Sequence, residues 1–335
     1  MNVQVPNLNH PELQDQIVGR LERVEELLFQ QVQGSGELVD PLTKHLVSAG
    51  GKRMRPLLVM ICGLLGETPD EEALIRAAAS VELTHLATLY HDDVMDSAPQ
   101  RRGVPSAQIE WGNNRAILAG DVLFARASRL TAQLGTEAVD YHAKTFERLC
   151  LGQLNETFGP AEGQDKVEFY LQVLADKTGS LVASAAYFGA LYSGSSEEIQ
   201  SAVSTYAERV GVAFQIADDI LDLVSPGEVS GKTPGTDLRE GVDTLPVLLL
   251  RARAARGEGD NEDARILDAL AEDLSSDVAL SRVVEMLVNN RVIDETRKLA
   301  RKAIDHALEA LEPLPQSEAK DMLVQFAELT IDRAV

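Results

Sequence analysis

The chain is 335 residues long, 44% hydrophobic and 25% charged, with 53 acidic against 31 basic residues and a net charge of −22. Those proportions suit a globular protein with a substantial core and exclude collagen-like, disordered and disulfide-scaffold classes. So acidic a chain is a poor partner for nucleic acid, whose phosphates are bound by Lys and Arg that release counterions. Any phosphate it binds must be met locally, by a few basic side chains or through a metal.

In chain order, residues 1–10 form a polar tail without the basic-then-apolar pattern of a signal peptide. Leu13, Ile17, Leu21, Val24 and Leu28 then recur at spacings of three and four, which predicts an amphipathic helix. The same periodicity returns over 74–94, 117–134, 171–192, 202–223 and 299–311. No stretch alternates between hairpin dipeptides, so essentially no sheet is expected. Breakers interrupt the helices at 48–51, 97–99 and 158–160, and over a long segment, 225–237, that holds Pro226, Gly227, Gly231, Pro234 and Gly235. That segment exceeds a minimal helix connection and reads as an active-site loop, a lid; 256–262 reads as a plain surface loop. The most apolar stretches, 181–192 and 245–250, fall short of the ~20 residues a membrane span needs. Cys62 and Cys150 both read as buried free thiols of a reduced compartment, so a cytoplasmic protein is expected. The fold class is all-α, a helical bundle forming a single domain over 1–335.

Two acidic clusters stand out. His91-Asp92-Asp93-Val94-Met95-Asp96 closes a long helical run, and Gln215-Ile216-Ala217-Asp218-Asp219-Ile220-Leu221-Asp222 lies within another. In each, the outer aspartates (Asp92 and Asp96, Asp218 and Asp222) are four apart and project from one helix face. Like charges at that spacing repel unless a cation sits between them. A single pair is as well explained by a solvated acidic face; two copies of Asp-Asp-x-x-Asp in apolar helices favour a metal. Mg2+ is the natural candidate, since it takes oxygen ligands and binds through one or two carboxylates plus substrate phosphates. Zinc is disfavoured, because His85 and His91 lack a thiolate or His partner at ligand spacing.

Basic residues answer these clusters. Gly50-Gly51-Lys52-Arg53-Met54-Arg55-Pro56 opens a helix, with Lys52 and Arg55 on one face near its anion-favouring N-terminus. Gln100-Arg101-Arg102-Gly103 follows the first cluster, Lys177-Thr178-Gly179-Ser180 begins a helix, and Lys232 lies in the 225–237 loop. Each alone is compatible with surface solvation; together they suit a second, metal-free diphosphate pocket.

These motifs, in this order, resemble the trans-isoprenyl diphosphate synthase (polyprenyl synthetase) family, from about Leu38 through the C-terminal helices. The resemblance is carried by Gly-Lys-x-x-Arg-Pro, both Asp-Asp-x-x-Asp clusters, Arg-Arg-Gly, Gly120-Asp121, Lys-Thr-Gly, Phe214-Gln215 and Gly231-Lys232. It is especially close to actinobacterial members that make quinone side chains. It implies an isoprenoid synthase fold, a helical bundle around a central cavity, assembled as a homodimer. It places isopentenyl diphosphate at Lys52, Arg55, His85 and Arg102. The allylic diphosphate would be held by Arg101, Lys177 and Lys232 and by Mg2+, three ions with substrate bound, on Asp92, Asp96 and Asp218. Asp93, Asp219 and Asp222 are expected to contribute secondarily, through water or by orienting the ligands. Thr178 and Gln215 would turn dipoles toward an allylic cation, or serve as a helix cap and a core amide. The implied reaction is ionisation, condensation and elimination, with cations and metal stabilising charge on the departing diphosphate.

Product length turns on the helix that ends in the first cluster. Ala87 and Thr88 lie five and four residues before Asp92, where the family's short-chain members carry bulky aromatics; both are small here. The next turn offers Leu83 and Thr84, and a turn of about 5.4 Å is comparable to one isoprene unit. A medium-to-long all-trans product is expected, with geranylgeranyl diphosphate as the alternative. A class I terpene cyclase and a non-catalytic subunit of a heteromeric synthase are the rival readings. Arg53, His45 and His142 are expected at the surface, Asp121 behind the basic site, and Trp111-Gly112-Asn113-Asn114 as a cap for the next helix.

Overall fold

A computed structural model describes Pro6 and residues 9–225 and 234–332. Most of the 1–10 tail and of the 225–237 loop, Lys232 included, lies outside the described residues.

Helices follow one another along the chain: α1 (Pro11–Gln31), α2 (Asp40–Ser48), α3 (Met54–Cys62), α4 (Glu71–Met95), α5 (Ala107–Trp111), α6 (Asn113–Ala132), α7 (Thr136–Phe158), α8 (Lys166–Leu174), a π-helical turn (Ala175–Gly179), α9 (Ser180–Tyr192) and α10 (Glu197–Val224). Then come α11 (Thr236–Arg239), α12 (Leu245–Ala255), α13 (Asn261–Leu270), α14 (Asp277–Val288), α15 (Val292–Ala310) and α16 (Glu318–Ile331). Among the described residues the only sheet is a hairpin of two short antiparallel strands, β1 (Gln100–Arg101) and β2 (Val104–Pro105). Its turn is made by Arg102 and Gly103, both at positive φ (54° and 77°), a combination that closes a two-residue hairpin.

Two compact units emerge, each drawn from separate stretches of chain, and their boundaries fall within continuous helices such as α7 and α10. The first takes Met1–Glu147, Leu181–Ala207 and Ala310–Gln325. Its axis is α4, whose N-terminus is capped by the Asp70 side chain, which accepts from the Ala73 N–H at 3.0 Å. Most of α4 up to Ala87, together with Tyr90 and Asp93, is buried on every side, as befits a helix apolar all round. Around it, α1 buries Ile17, Leu21, Val24 and Leu28, the predicted stripe without Leu13. α6 meets α4 through small residues, Ala116, Ala119, Gly120 and Ala127. A Cβ on Gly120 would stand 2.4 Å from His91 Nε2 and 3.2 Å from the Ala87 carbonyl, so a side chain here would have to push the His91 ring aside. Ser80 and Thr131 seal the far end of the same seam through a 2.6 Å buried hydroxyl–hydroxyl bond.

The second unit takes Arg148–Ser180, Glu208–Glu309 and Phe326–Val335. An ion cluster fastens α12 to its neighbours: Arg253 donates to Asp263 on α13 (2.6 and 2.8 Å) and to Glu295 on α15 (2.7 and 2.8 Å). Asn290 completes it, donating to Asp263 at 3.1 Å.

Four expectations are corrected by these surroundings. Cys150 is exposed rather than buried, while Cys62 is buried as expected. On α7 the inward stripe is Ala138, His142, Thr145 and Leu149, so His142 is buried and Cys150 falls just off it. Arg53 is buried, not solvent-facing. Lys177-Thr178-Gly179 does not begin a helix; it lies in the π-turn that joins α8 to α9.

Candidate active site

In the first unit, the loop before α3 is shaped for cations. Gly50 and Gly51 take φ of 83° and 150°, and a Cβ on Gly51 would lie 2.9 Å from the Arg102 guanidinium. Arg102 lies over that loop, donating to the carbonyls of Leu46 (3.0 Å) and Gly50. Arg53 stands at φ 49°, a left-handed conformation costly for a side-chain-bearing residue. Its guanidinium donates to Glu25 on α1 and, at 2.9 Å, to Glu82 on α4. Glu82 is only 2% exposed and lies 3.9 Å from Arg102 as well.

Two further groups complete the pocket. Arg55 has its Nε buried without a hydrogen-bond partner. Burial, and to a lesser degree Arg102, lower its affinity for its proton. Burial first, then Arg55, Arg102, Arg53 and Arg101, hold the His85 imidazole well below its ordinary pKa, so His85 is neutral near pH 7. Of the four residues predicted for the metal-free site, Arg55, His85 and Arg102 are therefore brought together, and Lys52 lies exposed on the same loop. The buried donor of Arg55 needs an acceptor, and an anion is the partner that its chemistry fits. Glu82 and Arg53 escaped sequence reasoning; a lone carboxylate in the apolar run Ser80-Val81-Glu82-Leu83, three residues before His85, was the available signal.

The first aspartate cluster ends α4. Asp92 is half-buried, Asp96 is exposed at the helix C-cap, and Asp93 is wholly buried. Asp93 Oδ1 accepts from Arg101 Nε at 2.7 Å and lies 2.6 Å from its Nη2. Burial raises the Asp93 pKa despite that pairing. The two arginines of the hairpin thus part company: Arg102 turns to the Gly50 loop and Arg101 to the aspartates. Asp121 lies 3.4 Å from His91. Of the chain-length candidates, Leu83, Thr84 and Ala87 are buried and Thr88 is half-buried. Thr84 and Thr88 donate their hydroxyls to their own helix, at Ser80 O (2.9 Å) and His85 O (2.8 Å), which leaves their methyls as the outward surface.

The second cluster lies on α10 in the second unit. Asp218 is exposed, Gln215 and Asp222 are half-buried, and Asp219 is buried. Asp219 Oδ2 accepts from the Tyr170 hydroxyl at 2.9 Å and from the Leu245 N–H at 3.2 Å. Burial pushes its pKa up to about 8. Asp219 therefore ties α10 to α8 and α12, and Tyr170, unpredicted from sequence, is its anchor. Lys177 is paired with Glu156 of α7, and Thr178 is half-buried beside it in the π-turn.

Among the described residues no three His, Cys, Asp or Glu side chains close on one another as a self-sufficient metal site. The donor set nonetheless fits a hard divalent cation shared with phosphate: Asp92 and Asp96, like Asp218 and Asp222, offer only oxygens, and Asp93 Oδ2 is buried with no hydrogen-bond partner.

A predominantly helical chain with an arginine cluster and two oxygen-only aspartate rows has the makings of a diphosphate-handling enzyme. The polyprenyl synthetase family matches residues 37–287, and the chain belongs to that family. It is 42% identical over 311 residues to the nonaprenyl diphosphate synthase of Mycobacterium tuberculosis, covering 93% of this chain and 91% of that protein. The geranylgeranyl pyrophosphate synthase of Corynebacterium glutamicum, solved with calcium and isoprenyl diphosphate, matches with a TM-score of 0.86 at 40% identity. That match covers 98% of this chain and 99% of that one. The polyprenyl synthase of Caulobacter crescentus CB15, also with calcium and isoprenyl diphosphate, gives a TM-score of 0.86 at 29% identity and 99% coverage of both. The chain has the family's all-α isoprenoid synthase fold, and the family is divalent-metal dependent. No helix among the described residues is long and apolar enough to cross a membrane.

Proposed function

We propose that this chain is a Mg2+-dependent trans-prenyltransferase that condenses isopentenyl diphosphate with an allylic diphosphate to a medium-to-long all-trans polyprenyl diphosphate, serving quinone side chains. The observation that carries the reading is the unpaired buried donor of Arg55 beside Arg102 and a neutral His85, in a chain with two Asp-Asp-x-x-Asp helices. The cyclase and non-catalytic readings lose ground to the family match, and all six aspartates are present.

Lys52, Arg55 and Arg102 hold the isopentenyl diphosphate, and neutral His85 adds a hydrogen bond without adding charge. Bound Mg2+, three ions on this reading, would sit on Asp92, Asp96 and Asp218 and act as Lewis acid toward the allylic diphosphate. Asp93 holds Arg101 through Oδ1, Asp219 holds the α10 helix in place, and Asp222 contributes through water. Lys177, Arg101 and Lys232 neutralise charge on the leaving group as its C–O bond breaks. Thr178 and Gln215 turn dipoles toward the allylic carbon. Departed diphosphate takes the proton lost when the new double bond forms, so no protein nucleophile is required. Water has to be kept from the cation, and the 225–237 loop is the proposed lid.

On this reading residues 1–335 act as one catalytic domain. A homodimer is part of it; exposed Ile109, Ile117 and Leu118 on α5 and α6 supply apolar surface for a second copy. A cytoplasmic location rests on the two free cysteines. Small Ala87 and Thr88 favour a product longer than geranylgeranyl diphosphate. Incubation with labelled isopentenyl diphosphate, a farnesyl or geranylgeranyl primer and Mg2+, followed by chromatography of the dephosphorylated product, tests the reading. A long all-trans alcohol is expected; cyclised product, or none under any primer, overturns it.

A further inference from the structure

A π-turn is uncommon and less favourable than α-helix, and it persists where surrounding contacts hold it, often at a functional position. Here it spans Ala175–Gly179 and carries Lys177 and Thr178. Its seat is one face of α7. Arg148, Gly152 and Glu156 are spaced four apart, so they form a single stripe along that helix. Each meets one group of the turn. Arg148 Nε donates to Asp176 Oδ1 at 2.9 Å, with Nη2 at 2.8 Å from the same oxygen. Gly152 lets the backbone in: a Cβ there would lie 3.0 Å from both Asp176 Cβ and Lys177 N. Glu156 takes the Lys177 ammonium.

The remaining contacts lock the same register. Arg148 Nη1 donates to Glu208 of α10 at 2.6 Å. Glu208 in turn backs Gly179, whose Cβ would stand 3.0 Å from its Cγ. Gln172 Nε2 donates to Asp176 Oδ2 at 3.0 Å, and Ser180 Oγ donates to Asp176 O at 2.6 Å. Both ends of the turn are therefore fixed through one guanidinium. Each residue of an α-helix turns by about 100°, so relaxing the one-residue excess would swing Lys177 and Thr178 far off their bearing.

We infer that Arg148, through Asp176 and Glu208, is a positioning residue that sets the direction of Lys177 and Thr178 toward the allylic diphosphate. The inference rests on the proposed role of Lys177. In Arg148→Met, affinity for farnesyl thiolodiphosphate with Mg2+ falls about tenfold and kcat falls by about tenfold or more, as misplacement of a binding group predicts. KM for isopentenyl diphosphate stays within about twofold, and Arg148→Lys recovers part of the loss. Asp176→Asn added to Arg148→Met costs less than about twofold more, because the two act as one unit.

Unchanged analogue affinity and kcat in a folded Arg148→Met protein overturns the inference, as does a parallel rise in the isopentenyl diphosphate KM. Should Arg148→Met not fold, the same measurements on Arg148→Lys and Asp176→Asn decide the matter by the same two outcomes. Lys177→Ala separates the layers. If it leaves analogue affinity untouched, the reading of Lys177 fails; if it weakens binding while Arg148→Met does not, only the clamp fails.

Discussion

On the proposed function, the arginine cluster of the first unit and the aspartate helix with its π-turn in the second would meet the same problem, a diphosphate, by opposite means. In the cluster the arginines are buried or half-buried, and their charge is permanent. Arg53 and Arg102 are fixed by carbonyls and by Glu25 and Glu82, and Arg55 keeps an unspent donor. On the aspartate helix Asp218 is exposed and Asp222 half-buried, and the cation in view, Lys177, rests on Glu156. A metal-free site must carry its own positive charge into low dielectric, where each cation is expensive unless paired. A metal-dependent site presents negative charge, and its positive charge arrives with the ion. That contrast explains why Glu82 is buried among arginines while Asp219 is buried under a hydroxyl and an amide: the first balances charge, the second fixes geometry.

The sharpest break comes from removing the aspartates. Asp92→Ala and Asp218→Ala are each expected to lower kcat/KM by about 10³-fold or more, the scale on which loss of charge stabilisation at a leaving group is felt. Steady-state assays at saturating Mg2+ check this, and chelation of the metal should abolish turnover in the unaltered protein. Binding of isopentenyl diphosphate alone should survive both changes. Were it lost as well, the division into a metal-free and a metal-dependent site would not stand.

The reciprocal break is made in the pocket. Gly51→Ala puts a Cβ 2.9 Å from the Arg102 guanidinium at a φ of 150°, and Arg102→Ala removes the guanidinium outright. Each should raise KM for isopentenyl diphosphate by about 10- to 100-fold, the worth of a charge-assisted contact or two, with the allylic KM within about threefold. Arg55→Lys should also weaken binding, because an ammonium does not reproduce the guanidinium fork. Initial rates with each substrate varied in turn decide it.

Product length gives a smaller, qualitative effect. Ala87 is completely buried and its carbonyl faces Gly120, so a phenylalanine there either fills a tunnel or strains the α4–α6 seam. Ala87→Phe is expected to shorten the major product by one or more isoprene units while the protein still folds. Chromatography of the products and a melting curve separate the outcomes. Unchanged length in a folded variant removes this face of α4 as the ruler.

What could be read in advance divides along the same line. Helix periodicity, the two aspartate rows and the basic motifs are local patterns; the helices follow their spacing, and Arg55, His85 and Arg102, grouped by the family resemblance, lie near one another. What was illegible depends on partners distant in sequence. Arg53 reads as solvated until Glu25 and Glu82 are seen around it; Tyr170 and Asp219 are 49 residues apart. The parting of Arg101 from Arg102 comes from two consecutive positive-φ residues in a hairpin too short to leave an alternation in the sequence. The π-turn has no pattern of its own, since it is α-helix with one residue too many.

The smallest effect probes the pocket's electrostatics directly. His85 is held neutral by burial and by four arginines, so its folded pKa lies well below the value near 6.5 of the unfolded chain. Above pH 6.5 neither state binds the proton and His85 adds no pH dependence. As pH falls through 6.5, the unfolded chain takes up a proton that the folded protein refuses, and stability falls with it. One proton is worth at most about 1.4 kcal/mol per pH unit, so the loss from this residue between pH 7.5 and 5.5 is up to about 1.4 kcal/mol. His85→Gln removes the titration and keeps a hydrogen-bonding side chain. Urea denaturation of both proteins at the two pH values should show the variant losing less stability on acidification. Equal losses would mean that His85 carries a proton in the folded pocket, and the contrast of a permanently cationic site built around a neutral imidazole would fail at that point.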